Sequence, residues 1–470
     1  MAPLWTNNSC SPFAEPQSPC TLGNYVSYAF NATTAEEYAA VLSFAADHSL
    51  RLVVRNTGHD YSGKSTGAGA LALWTLYNKD AAFIPLYDEP HYHGPAFRFG
   101  AGVSAHEAYV FADANNQTVV SGNQPTVGFI GGYTQGGGHG PLASTFGLAA
   151  DQVLEWEVVL ASGELVVASP SSDQHSDLWW ALSGGGGGTY GAVLSATVKA
   201  HEPLILSTAS LTIVAPAGDA NLYRQGIEVA LAHILDFTDA GLTAVWYASG
   251  EALAISPLYG PKLAKDDLDA TVQPLLDDLA ALGLKTVYES TQHESFLAGM
   301  NSQQQVGVAQ YHIGGRLIPR SVLTSSTANL SEAIVSVVET GSLFSGVSLN
   351  VSQHEPGSIG ANPYWRQTAF SAVLGGLVNY THWEENQKIL DFITNTLLPP
   401  LEDLTPGGAA YLNEADPQQV DWQEAFYGEH YKRLAAIKNK YDPDGLFYAL
   451  GAVGSDAWER LEDGRLCRTK

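Results

Sequence analysis

Lysine and arginine are scarce in this sequence, 22 against 48 aspartates and glutamates, which leaves a formal net charge of −26. Such a surface repels nucleic acid phosphates and anionic lipid, so neither is expected as a partner. It suits solubility in an acidic or extracellular medium. No stretch approaches the roughly eighteen consecutive apolar residues of a membrane span, and none is expected. The opening MAPLWTNNSC lacks the layout of a signal peptide; the expectation is an initiator Met standing where a leader was. Cysteine is nearly absent, with Cys10, Cys20 and Cys467 as the only three. Cys10 and Cys20 flank a short Pro/Ser-rich loop, a spacing suited to a small disulfide, and Cys467 is left over. Metal-ligand sets are missing too. The His91–His93 run has no carboxylate or cysteine at ligand spacing, and the His-Glu pairs lack a second histidine, so no metal is expected.

Glycine is what the chain has in excess: 47 residues, a tenth of the whole against an average of about 7%. Most fall in the first 200 positions, which marks a local architectural demand. A chain of 470 residues exceeds one ordinary core, so two or three domains are expected. Sequons at Asn7, Asn31, Asn116, Asn329, Asn350 and Asn379, together with the N-terminal cysteine pair, point to glycosylation and the secretory pathway. A monomer is expected.

TTAEEYAAVLSFAADHSL reads as a helix capped by Thr33, with Glu36 three residues on. RLVVRNT follows as a short buried strand, and the glycine-rich GHDYSGKSTGAG comes directly after it. ALALWT, FRFGAG and LEWEVVLASGELVVAS have strand patterns. Near Ala200 the glycines thin out, and LDATVQPLLDDLAALG and NLSEAIVSVVETG read as helices between strand-like runs such as LTAVWYASGEALAISPLYG. The boundaries that follow are 1–200, 201–406 and 407–470, the last containing the helix YGEHYKRLAAIKNKYDP.

Three short motifs compete for the glycine-rich segments. GHDYSGKS fits a phosphate loop, with Lys64 on phosphates and Ser65 on magnesium, but that mechanism needs a helix opening at GKS. The continuation TGAGALALWT is strand-like. GKSTG fits a nucleophile elbow with Ser65 as nucleophile, and lacks the same helix. GGGTYG fits a dinucleotide fingerprint, yet AVLSATVKA after it has a β pattern. A phosphate-loop enzyme therefore stands only as a minor alternative.

Taken in order, RNTGHDYSGKSTGAGALALWT, PTVGFIGGYTQGGGHGPLASTFGLAADQVLEWEVVLASGE, DLWWALSGGGGGTYGAV, YLNEADP and YGEHYKRLAAIKNKYDPDGLF resemble the fungal FAD-linked oxidoreductases of the vanillyl-alcohol oxidase and para-cresol methylhydroxylase type, berberine bridge enzyme-like branch. The resemblance runs from the Cys10–Cys20 loop to the end. It implies an α+β fold: a two-subdomain FAD-binding domain with an inserted substrate domain, built on an antiparallel sheet covered by helices. It also implies FAD bonded through His59, a nucleophilic imidazole when neutral.

Thr57, Gly58, Gly63 and Ser65 would offer backbone N–H groups to the pyrophosphate, with Arg55, Asn56 and Asp60 in the same contact set. Pro125, Thr126, Val127, Gly131, Gly132, Gly136, Gly137 and Gly140 would run along the ring system, followed by Leu142 and Gly147. Asp151, Gly188, Gly191 and Val193 would close around the ribityl and adenosine half, and Asn413, Tyr427 and His430 would return to the flavin. Many relatives carry a cysteine before the Pro-Thr-Val-Gly stretch; Asn123 and Gln124 stand there instead, which implies a singly linked flavin.

Relatives often place tyrosines where this chain has His139 and Glu414. One of these two is the expected base, with Tyr411 bonding the substrate and Trp365 and Arg366 lining its pocket. The implied activity is hydride transfer from a small alcohol or activated C–H to flavin, with O₂ as acceptor. Alternatives are a flavoprotein cyclase of natural-product biosynthesis and a secreted binding module without turnover.

Overall fold

The computed structural model describes residues 3–216, 218–303, 311–461 and 465–469. Its first sheet is small and parallel, in the order Tyr28–Asn31, Leu71–Trp74, Leu52–Arg55. The helix Ala35–Asp47 covers it through Tyr38, Val41, Leu42 and Ala45. That helix starts one residue later than the sequence suggests. Thr34 is the cap, its hydroxyl accepting from the Glu37 N–H at 3.3 Å, while the Glu37 carboxylate accepts from both Thr33 and Thr34 N–H groups. Glu37 closes the capping box on Thr34 and also takes the Thr33 N–H just before it, which fixes the register.

A second, antiparallel sheet has the order Ala81–Glu89, Tyr92–Gly100, Ala192–Lys199, Val153–Val159, Leu165–Ala168. Its middle strand Ala192–Lys199 is buried at every position but the last, which is why AVLSATVK shows no clean alternation. The outer strand Ala81–Glu89 went unrecognised: it is exposed or half-buried throughout, so no apolar face announced it. No helix follows Gly63–Ser65; turns lead into the strand Leu71–Trp74. Likewise GGGTYG leads into a strand and not a helix.

The third sheet is antiparallel with seven strands: Thr286–His293, Leu206–Val214, Ala252–Pro261, Thr243–Ala248, Leu343–Ser348, Thr368–Leu377, Tyr311–Pro319. Strand alternation sorts its two faces. Ala244, Trp246 and Ala248 join a core with Leu268, Leu275, Leu330 and Ile334 from the helices Lys265–Ala281 and Thr327–Glu339. Val245, on the opposite face, joins the core of the first domain instead. The sheet is thus roofed by helices on one side and seated on the glycine-rich domain on the other, which confirms the expected fold class.

The chain then returns to the first domain. The helix Tyr431–Tyr441 buries Leu434 and Ile437 against it, and a short hairpin, Trp458–Arg460 with Leu466–Arg468, closes the C-terminal end. At the other terminus Cys10 and Cys20 are bonded, and Asn8 ties this segment to Asn379 and Asn386 of the substrate domain. Cys467 is free. No described helix is long and apolar enough to cross a membrane, and no metal-binding group of side chains occurs among the described residues.

Candidate active site

His59 leaves the parallel sheet just beyond Arg55, after a turn at Gly58 whose φ of +83° suits glycine. Its Nε2 lies 2.8 Å from the Thr126 hydroxyl, which joins the two segments expected to meet at the flavin. His59 is exposed as a residue, but partial burial of its ring lowers the pKa and favours the neutral imidazole. The loop beyond departs from expectation. The Asp60 carboxylate accepts the Ser62 N–H at 2.9 Å and the Ser65 N–H at 2.7 Å, so the Ser65 donor is held by the loop's own anion. Gly63 backs onto Trp5, whose indole donates to the Tyr61 carbonyl at 2.7 Å. Two cations remain for an anionic cofactor. Arg55 folds under Gly58 with no ion pair among the described residues, and burial lowers the Lys64 pKa against the pull of Asp60.

Around this loop the backbone comes very close. A Cβ on Gly131 would stand 2.8 Å from Asn56 Nδ2, one on Gly136 2.4 Å from Asn413 Nδ2, and one on Gly187 3.0 Å from Gly132 Cα. Asn413 stitches the return of the chain to this wall, its Nδ2 donating to Gly132 O at 2.9 Å and to Tyr411 Oη at 2.8 Å. Gln135 O accepts from Gly184 and Gly186 N–H groups. Along the same wall several buried polar atoms have no hydrogen-bond partner: Asn56 Oδ1, Ser121 Oγ, Asn123 Oδ1, Gln135 Oε1 and His139 Nδ1. Native proteins seldom leave such atoms unpaired. A glycine-walled cradle lined with unpaired polar atoms fits a large, flat, polar cofactor. Gly136→Ala is expected to drive the new methyl into Asn413 and cut flavin content severalfold at unchanged expression, read from the absorbance ratio of purified protein.

His139 and Glu414 meet here from opposite ends of the chain, Nε2 lying 3.1 Å from both carboxylate oxygens. Burial lowers the histidine pKa, but the Glu414 charge and hydrogen bond outweigh it and raise the net value. Tyr411 stands edge-on to His139 at 5.2 Å and Trp365 lies at 6.2 Å. Three further tyrosines, absent from the sequence-based set, converge on the pair. Tyr61 is pushed up to about 12 by burial, with Glu414 and Tyr247 adding to it. Tyr133 is raised well above its ordinary value by burial, and its hydroxyl donates to His139 O at 2.9 Å. Tyr247 shares the Val245 face of its strand, with its pKa raised by burial and then by Glu414. Tyr61 was findable, two residues past His59 in its motif; nothing local marked Tyr247.

The remaining expected residues make polar and packing contacts of their own. Arg366 does not face an open pocket: its guanidinium binds Asp151 through two bonds of 2.7 and 2.9 Å, both side chains almost fully buried. Asp151 is therefore this arginine's partner and also caps Leu148 N–H at 2.9 Å, and Gly147 packs against it and His354. His430 stands edge-on to Trp180 at 4.9 Å. Gly191 abuts Val158 and Gly140 abuts Ser121 O, while Leu142 and Val193 are core residues. Tyr427 is fully buried and bonds Gly451 O at 2.9 Å. Arg366→Ala would strand the Asp151 charge in the interior, a loss of about 3–5 kcal/mol, read as a melting temperature lower by about 3–5 °C in a chain of this size.

With that geometry in hand, comparisons with known proteins agree along the whole chain. Residues 26–169 match a family described as FAD binding domain, and residues 410–453 one described as berberine and berberine like. The chain is 43% identical to the FAD-linked oxidoreductase sor8 of Hypocrea jecorina (strain QM6a), over 100% of this chain and 81% of that protein. It is 39% identical to the bifunctional decalin synthase calF of Penicillium decumbens, over 100% of this chain and 83% of that protein. The crystal structure of the VAO-type flavoprotein MtVAO615 from Myceliophthora thermophila C1 superposes with a TM-score of 0.94 at 38% identity, covering 100% of this chain and 87% of that one.

Proposed function

The chain belongs to the FAD-linked oxidoreductases of the vanillyl-alcohol oxidase type, berberine bridge enzyme-like branch, and from that premise we propose that it takes a hydride from an alcohol or activated C–H of a small organic substrate. FAD is its cofactor and, when bound, supplies the two-electron acceptor at flavin N5. The single observation that carries the proposal is the His139–Glu414 pair at 3.1 Å, a proton acceptor set against the cradle. Glu414, the more open of the two at 24% side-chain exposure against 11%, takes the substrate hydroxyl proton. His139 behind it stabilises the carboxylate and passes the proton on. Tyr61 and Tyr247 orient the substrate hydroxyl from the two domains, and Tyr411, fixed by Asn413, completes the wall. His59 bonds the flavin, and Arg55 and Lys64 balance its phosphates.

O₂ is the proposed electron acceptor, and the products are then the oxidised substrate and H₂O₂. The bonded Cys10–Cys20 pair and the exposed sequons at Asn7, Asn31, Asn116 and Asn329 support a secreted, glycosylated protein; Asn350 and Asn379 are half-buried and less open to a glycan. A second reading, ring closure in natural-product assembly, is favoured by the decalin synthase relative. One screen separates the two. Sugars, aromatic alcohols and polyketide intermediates are incubated with the holoprotein, and H₂O₂ release and product mass are both recorded. Oxidation gives H₂O₂ and a product lighter by two hydrogens, whereas cyclisation without redox gives an isomer and no H₂O₂.

A further inference from the structure

Two arginines sit behind the His59 loop, in a cleft that its Ser62 and Gly63 also line. Arg51 precedes the strand Leu52–Arg55, and His59 follows its far end, so the strand alone separates them by about 13 Å. Arg51 and Arg460, from the C-terminal hairpin, line one small cleft with Trp5, Asn24, Gly67 and Leu466. Arg51 Nε and Nη1 are buried with no hydrogen-bond partner, and its Nη2 reaches Thr66 O only at 3.4 Å. Arg460 lies over the Trp5 ring at 5.2 Å and Arg51 near the Tyr448 ring at 5.8 Å. Neither has a carboxylate partner among the described residues, although acids outnumber bases 48 to 22 in this chain. Burial lowers the pKa of both; only the Tyr448 hydroxyl opposes it at Arg51, and no carboxylate does at either. The backbone makes room for the arrangement: a Cβ on Gly67 would fall 2.4 Å from Arg51 Cζ.

Two half-buried guanidiniums that line one cleft and have no counter-charge among the described residues are costly unless an anion joins them. The fork of donors on each suits an oxyanion. We propose that this cleft binds a small tetrahedral oxyanion, inorganic phosphate or sulfate, between Arg51 and Arg460. The bound anion clamps three segments remote in sequence: the N-terminal turn through Trp5, the end of the His59 loop through Thr66 and Gly67, and the C-terminal hairpin through Arg460.

The test uses flavin-loaded protein melted in chloride, sulfate and phosphate at matched ionic strength, beside Arg51→Met and Arg460→Met. In the wild type, phosphate at about 100 times its dissociation constant should raise the melting temperature by about 2–3 °C, saturably. Calorimetric titration should give one site per chain with an unchanged flavin spectrum. Both variants should lose the saturable shift, and in chloride alone they should melt no lower than wild type, since an unpaired charge has gone. A shift of equal size in all three proteins would reflect general salting effects and overturn the proposal, as would a wild type indifferent to phosphate and sulfate. Arg460→Met, in the edge hairpin with its guanidinium over the Trp5 ring, keeps the test decisive if Arg51→Met does not fold.

Discussion

Replacing Glu414 by Gln is expected to slow substrate oxidation about 10²–10⁴-fold while leaving the protein folded and flavin-loaded. The glutamine keeps the volume of the side chain and an oxygen for His139 Nε2, so the 3.1 Å contact survives. What is lost is the charge. A neutral amide takes no proton from a substrate hydroxyl, and hydride departure then has no concerted proton acceptor. The second consequence concerns His139. Its pKa is set by burial, which lowers it, and by the Glu414 charge and hydrogen bond, which raise it further than burial lowers it. With the charge gone, burial prevails and the histidine titrates below its ordinary value of about 6.5.

The sign of the pH effect follows. In the wild type the raised pKa means that protonated His139 is favoured by the fold. Its stability contribution is full below about pH 6.5 and is lost as pH rises through the raised value. Protonated His139 holds Glu414 over the same range, so the rate of flavin reduction should climb as His139 loses its proton, at a pKa raised from the ordinary imidazole value. In Glu414→Gln the residual climb should move to lower pH. Anaerobic stopped-flow traces of flavin bleaching across pH read both quantities. A variant with wild-type rate and an unmoved profile would remove Glu414 from the reaction and leave the cofactor site untouched.

How much of this was legible in the sequence depended on the range of the interactions. The His59 loop, the glycine runs and the absence of helices after GKS and GGGTYG are local matters, and local pattern conveyed them. His139 and Glu414 were singled out one at a time; their contact across 275 positions is a product of folding, and no spacing rule encodes it. Arg366 shows the converse. As a cation beside Trp365 it read as a pocket residue, but its charge is consumed by Asp151, 215 positions away. Ser65 shows a shorter-range effect, since the Asp60 carboxylate already takes its N–H within the same loop. Tyr247 was invisible because its strand is otherwise buried, and only the seating of one domain on the other gives that face a purpose.

His59→Ala carries the largest expected effect on the cofactor: acid-precipitated wild type should keep its yellow colour in the pellet, and the variant should release all of it to the supernatant. The structure supplies the reason for a histidine at this place. Partial burial of the ring favours the neutral imidazole, which is the nucleophilic form. Thr126 engages Nε2 at 2.8 Å, which would leave Nδ1 for the proposed bond. Thr126→Ala, which frees the ring to turn, should slow covalent incorporation without abolishing it, visible as extractable flavin early after reconstitution that declines with time. Because no cysteine stands at or beside Asn123 and Gln124, the loss in His59→Ala should be complete, with no residual tether. Flavin partly retained in that pellet would reveal a second attachment point. Wild-type flavin that washes out would remove His59 as the link and leave the FAD-binding fold intact, since the glycine cradle and its unpaired polar atoms hold a cofactor without a covalent bond.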